Sequence, residues 1–146
     1  MTLFERHFAG DPDRPALALH CMMGSSNAWA PMAGHLDGLI DLRAFDNPGH
    51  GRSPDWQSTD GLDLHSFVTR YAAGQINRPL DLIGHSFGAT VALRIAVGAP
   101  EAIRSLTLIE PVLFAVAPAP SRQAENDRLA PFAATDDIDG MIGQFM

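Results

Sequence analysis

The sequence predicts an α/β fold, an open and mostly parallel sheet with helices on both faces. Two observations carry that prediction. Short apolar runs alternate along the chain with stretches of helical periodicity, which is the order of parallel βαβ units. The turn clusters rich in Gly, Pro, Asn and Ser fall at the carboxyl ends of those runs, where open α/β sheets gather their functional groups. At 146 residues, 46% of them hydrophobic and 18% charged, the chain is the size of one domain with a real core.

Residues 16–20 form a wholly apolar run ending at His20, as expected of a strand buried on both faces. A Gly-Ser turn follows at 24–26, then a helix over 27–38 capped by Ser26 or Asn27. A second strand over Leu39 to Phe45 runs into the turn cluster Asp46-Asn47-Pro48-Gly49-His50-Gly51-Arg52-Ser53. Leu64, Phe67, Val68, Tyr71, Ala72 and Ile76 have helical spacing, with Asp63 or Asp60 as the cap. A third strand, Leu80 to Ile83, enters Gly84-His85-Ser86-Phe87-Gly88. A small-residue helix over 87–98 leads to a fourth strand, Ile103 to Ile109, closed by Glu110-Pro111. An Ala/Pro-rich link at 115–120 precedes a weakly helical remainder, so we divide the chain into a core, 1–114, and a lid segment, 115–146.

Composition excludes several classes. A net charge of −7 argues against nucleic acid or an anionic membrane as partner. The single cysteine, Cys21, cannot form an intrachain disulfide, and no Cys/His cluster has zinc spacing. We find neither a signal-peptide pattern nor a membrane-length apolar run, so the expected location is the cytoplasm.

Gly84-His85-Ser86-Phe87-Gly88 is a G-x-S-x-G element between a strand and a helix. A sharp turn there exposes the serine hydroxyl at a helix N-terminus, whose dipole favours developing negative charge. Glycines must flank it, because a Cβ would strike the neighbouring strand and helix. Together with Leu19-His20-Cys21-Met22-Met23-Gly24-Ser25-Ser26 and the cluster at 46–53, this element resembles the N-terminal half of the α/β-hydrolase superfamily, in its esterase, lactonase and haloperoxidase-like branch. The resemblance spans about residues 15–115. It departs from the family at Cys21, where glycine is usual; we read Cys21 as a small buried residue.

The resemblance implies Ser86 as catalytic nucleophile, with an oxyanion hole made by the backbone amides of Met22 and Phe87. Asp46, His50, Arg52 and Ser53 are expected to be scaffold, as are His20 and His85. Met22, Met23, Phe87, Trp29 and the stretch from Val112 to Val116 are expected to line an apolar, substrate-binding pocket. In this family the triad runs Ser, acid, His, yet the last histidine of the sequence is His85. Glu110, ending the strand beside the nucleophile's, is a candidate triad acid, or a residue that bonds loop amides. Asp136, Asp137 and Asp139 read as a solvated face or helix cap.

The expected activity is cleavage of a small ester, lactone or thioester through an acyl-enzyme, with no cofactor. The rivals are an inactive hydrolase fold that binds ligands and an acyltransferase. By resemblance the fold is truncated after the fourth strand, which leaves an apolar sheet edge over 103–109. The expected partners are an ester-like small molecule and, at that edge, the missing C-terminal half or a second copy.

Overall fold

The computed structural model describes residues 1–58, 61–113 and 116–144. Two compact units divide the chain, Met1–Val112 and Leu113–Met146. In the first, five strands form one sheet in the order β1-β3-β2-β4-β5. These are β1 (Glu5–Phe8), β2 (Pro15–Leu19), β3 (Asp41–Phe45), β4 (Leu80–His85) and β5 (Ile103–Ile109). The pairs β2–β3, β2–β4 and β4–β5 are parallel, while β1 pairs antiparallel with β3, Glu5 opposite Phe45.

Strand β1 was not expected. It lacks an apolar run, but Phe4, Arg6 and Phe8 are half-buried while Glu5 and His7 are exposed. That period-2 alternation is the signature of a strand with one wet face.

Alternation on β2 divides the core between the two faces of the sheet. Leu17 and Leu19 join Phe45, Val68, Ala72, Leu82, Val91, Ala92 and Ile95, the cluster under helices α2 (Leu64–Gly74) and α3 (Phe87–Gly98). Ala16 and Ala18 join Trp29, Leu42, Ala44 and Ile83, with Met32 and Ala33 of α1 (Ala30–Leu36) packed on them. Each face is covered because a parallel strand buried on both sides must find apolar partners on both.

The helix ends obey local chemistry with one correction. Asp63 caps α2, accepting the Ser66 amide at 2.8 Å; Asp60 lies outside the described residues. Neither Ser26 nor Asn27 caps a helix. They fall inside a 3₁₀ turn, Ser26–Trp29, and the Ser26 amide is taken by Asp46 instead. The helix α1 stops where Asp37 (φ 43°) and Gly38 (φ 77°) turn left-handed.

β5 ends the sheet among the described strands, and its residues are exposed or half-buried. In the second unit, α4 (Ala119–Ala134) and α5 (Ile138–Gly143) are joined where the Arg128 guanidinium donates to the Gln144 carbonyl at 2.9 Å. Asp137 accepts the Gly140 amide at 2.8 Å, bracing the first turn of α5.

Candidate functional site

The turn between β4 and α3 is tightly constrained. Ser86 stands between strand and helix at φ 52°, ψ −112°, a conformation that costs a non-glycine residue about 1–3 kcal/mol. Packing enforces it. A Cβ on Gly84 would lie 2.4 Å from the Gly88 carbonyl oxygen, and one on Gly88 would lie 2.2 Å from that of Leu19. The Ser86 amide donates to the Ile109 carbonyl at 2.9 Å, so β5 holds the turn from the other side. In the first turn of α3 the Ala89 and Thr90 amides donate to the Ser86 carbonyl at 3.0 and 3.2 Å, while the Phe87 and Gly88 amides have no carbonyl four residues back within the helix. The helix N-terminus sets its partial positive charge beside the serine.

Two further loops meet at the carboxyl edge of the sheet. In the first, His20 is buried, with Nε2 accepting the Asn47 amide at 2.9 Å. The proton is therefore on Nδ1, which donates to the Cys21 carbonyl at 2.6 Å. That carbonyl also accepts the Gly24 amide at 3.0 Å. Because a trans peptide sets its N–H opposite its C=O, these bonds fix the direction of the Met22 N–H. Burial lowers the His20 pKa below its ordinary 6.5, and nearby His50 lowers it further, against the opposing pull of the Cys21 carbonyl and Asp46.

In the second loop Asp46 is the anchor. Its buried carboxylate accepts the amides of Ser26 at 2.6 Å and Arg52 at 2.8 Å. Burial alone would raise its pKa, but the Arg52 and Ser26 bonds hold it below the usual value. Gly51, at φ 54°, leaves the room this carboxylate fills, since a Cβ would lie 2.2 Å from Oδ2. Ser53 donates to the Asp46 carbonyl and accepts the Phe4 amide, while the Arg52 guanidinium sits 4.2 Å from the centre of the Phe4 ring. His50 reaches back to the first loop, its Nε2 against the Met22 carbonyl and its Nδ1 2.9 Å from that of Pro48.

Glu110 follows the last β5 residue, and the β4–β5 register, with His85 opposite Ile109, brings it beside Ser86. Its backbone is left-handed at φ 47°, and its carboxylate, largely exposed, lies 3.7 Å from His85 Nε2.

Met22, Met23 and Val112 are exposed, at 43%, 70% and 37%. Trp29, expected at the pocket wall, is 6% exposed and belongs to the buried cluster of Ala16, Ala18, Leu42, Ala44 and Ile83. Residues 114 and 115 of the expected lining lie outside the described residues. Cys21 is a half-buried free thiol rather than a buried one. A concavity lined by His7, Asp41, Arg43 and Arg78 opens at the amino ends of the strands, remote from the serine turn.

One contributor had no sequence signal. His65 of α2 stands edge-on to the Phe87 ring at 5.4 Å, with Nε2 3.1 Å from the Thr90 hydroxyl and Nδ1 3.2 Å from Arg94. Thr90 in turn donates to the Phe87 carbonyl at 2.7 Å. Nothing in the local pattern distinguishes His65 from a solvent-facing helical histidine; the packing of α2 on α3 makes it a brace. Burial and the Arg94 charge lower its pKa, against Asp63.

Known proteins resemble this chain in sequence and in fold. Lipase LipV of Mycobacterium tuberculosis is 35% identical over 105 residues, which cover 70% of this chain and 40% of the lipase. The 2-succinyl-6-hydroxy-2,4-cyclohexadiene-1-carboxylate synthase of Photorhabdus laumondii is 36% identical over 139 residues, 88% of this chain and 45% of the synthase. The chain thus spans less than half the length of these two relatives. Among solved structures, the Paleococcus ferrophilus monoacylglycerol lipase aligns over 88% of this chain and 51% of its own, at TM-score 0.66 and 23% identity, a likeness of fold. The family model described as "Alpha/beta hydrolase family" matches residues 16–145, and the chain belongs to that family.

Proposed function

We propose that the chain is the nucleophile-bearing part of a serine hydrolase that cleaves a small ester, lactone or thioester. The strained Ser86 backbone carries the reading. The fold holds Ser86 in an unfavourable backbone conformation at a helix N-terminus, an arrangement with no evident use in stability. In this reading Ser86 Oγ attacks the carbonyl carbon and the oxygen takes the negative charge. The amides of Met22 and Phe87 receive that oxyanion, a contribution of about 3–4 kcal/mol per donor. Collapse of the tetrahedral species expels the leaving group and leaves an acyl-enzyme, which water then hydrolyses.

The general base is a histidine outside these 146 residues, in keeping with the chain's share of its relatives' length. Glu110, beside Ser86 at the end of β5, is the acid candidate within this chain for orienting it. Exposed Met22, Met23 and Val112 favour an apolar acyl group. Residues 115–146 contribute the start of a lid in this reading, and the protein acts in the cytoplasm without a cofactor. No described helix is long and apolar enough to cross a membrane.

A fluorophosphonate probe tests the proposal on the natural full-length protein. One covalent adduct, lost in Ser86→Ala, is the expected result. A folded protein that takes no adduct and turns over no short ester would leave a ligand-binding fold instead.

A further inference from the structure

We propose that His50 is a positioning residue for the oxyanion donor at Met22, an inference that rests on the reading of Ser86 as nucleophile. A backbone donor helps a reaction only if it is aimed before charge develops. The Met22 N–H belongs to the Cys21–Met22 peptide, whose carbonyl is held by His20 and Gly24. The next peptide, Met22–Met23, is held through its own carbonyl by His50 Nε2. With the planes on both sides fixed, neither backbone dihedral of Met22 is free to turn.

Side-chain packing does not supply this restraint. Met22 and Met23 are 43% and 70% exposed, so the segment has little buried surface to hold it. The His50 ring comes from a rigid base instead. Its own amide donates to the Asn47 carbonyl at 3.0 Å, and Asp46 ties the same loop to Ser26. The ring rests 5.4 Å from that of His20, so the two clamps stand side by side. Both acceptors of His50 are carbonyls, of Pro48 and of Met22, and holding Met22 requires a proton on Nε2. The ring thus joins the second loop to the first at the residue that would face the substrate oxygen.

The test compares wild type, His50→Gln and His50→Phe in the natural full-length protein, using p-nitrophenyl acetate and fluorophosphonate titration of active sites. Removing a whole oxyanion donor costs on the order of a hundredfold or more in kcat, so loss of its aim should cost about tenfold. The expected result for His50→Phe is that fall in kcat per titrated site with KM changed by less than about twofold, because the donor acts on transition-state charge. His50→Gln, which keeps an N–H donor, should recover most of it. Nitrogen-15 NMR of His50 should show the proton on Nε2. Wild-type kcat in His50→Phe, or a ring protonated on Nδ1 alone, would overturn the assignment. If His50→Phe does not fold, the protonation site decides. If wild type takes no adduct at Ser86, the nucleophile reading fails and the role of His50 falls with it; an adduct beside an unchanged kcat in His50→Phe defeats the role of His50 only.

Discussion

The Asp46 carboxylate accepts the amide of Ser26, twenty residues away, at 2.6 Å, and so binds together the loops that follow β2 and β3. Its other oxygen accepts the Arg52 amide at 2.8 Å. Removing the carboxylate leaves two amides without an acceptor, one of them buried. Asp46→Ala should therefore cost about 3 kcal/mol, read from denaturant unfolding, and Asp46→Asn less because one acceptor survives. Loss of under about 0.5 kcal/mol in Asp46→Ala would show that water replaces the carboxylate at no cost.

Gly88 and Gly98 lie on the same helix and should respond oppositely to alanine. A Cβ on Gly88 meets the Leu19 backbone at 2.2 Å, whereas one on Gly98 meets nothing within 4 Å. Gly88→Ala should destabilise by about 3 kcal/mol or more and displace Ser86, since backbone cannot step aside as a side chain can. Gly98→Ala should be neutral or stabilising by about 0.5 kcal/mol, through helix propensity. Thermal melts of the two variants decide it; equal effects would contradict the packing described.

Relief of strain at Ser86 should be measurable separately from chemistry. At φ 52°, ψ −112° glycine is far less strained than serine. Ser86→Gly should raise stability by about 1 kcal/mol, after the greater entropy of the unfolded glycine chain is subtracted. Ser86→Ala keeps a Cβ and should not. A Ser86→Gly protein no more stable than Ser86→Ala would mean that the turn relaxes in solution.

Stability should fall on acidification in two stages. His20 and His65 have folded pKa values below their ordinary 6.5, so the unfolded chain binds protons more readily. Stability is full above that value and declines as the pH drops below it. Asp81 is held to about 2 from its ordinary 3.8, chiefly by the Arg104 guanidinium and against burial, with Ser105 and Arg14 assisting. Its contribution, about 2 kcal/mol, is present above 3.8 and is lost as the pH falls towards 2. Denaturant midpoints between pH 8 and pH 2 report both stages. His20→Gln should flatten the upper stage, and Asp81→Asn the lower.

Much of this protein was legible as local pattern. The strand Ile103–Ile109, the helix Phe87–Gly98 and the glycines around Ser86 follow from apolar runs, periodicity and sterics, which short segments encode by themselves. The order of those elements was enough for a parallel sheet with its turns at one edge. The burial of Trp29 was not legible because burial depends on what stands opposite, and Ala16 and Ala18 of β2, which share its cluster, lie on another segment. The strand β1 depends likewise on pairing with β3, and its alternation over four residues is too short to stand out.

By itself the sequence determined the family, the serine turn and the strands that flank it, because each is written in contiguous residues under tight steric demand. Only the tertiary structure decided what His20, His50, Asp46 and His65 do. Their bonds cross 27, 28, 20 and 25 positions of chain respectively, and a hydrogen bond depends on distance in space, not on separation along the sequence.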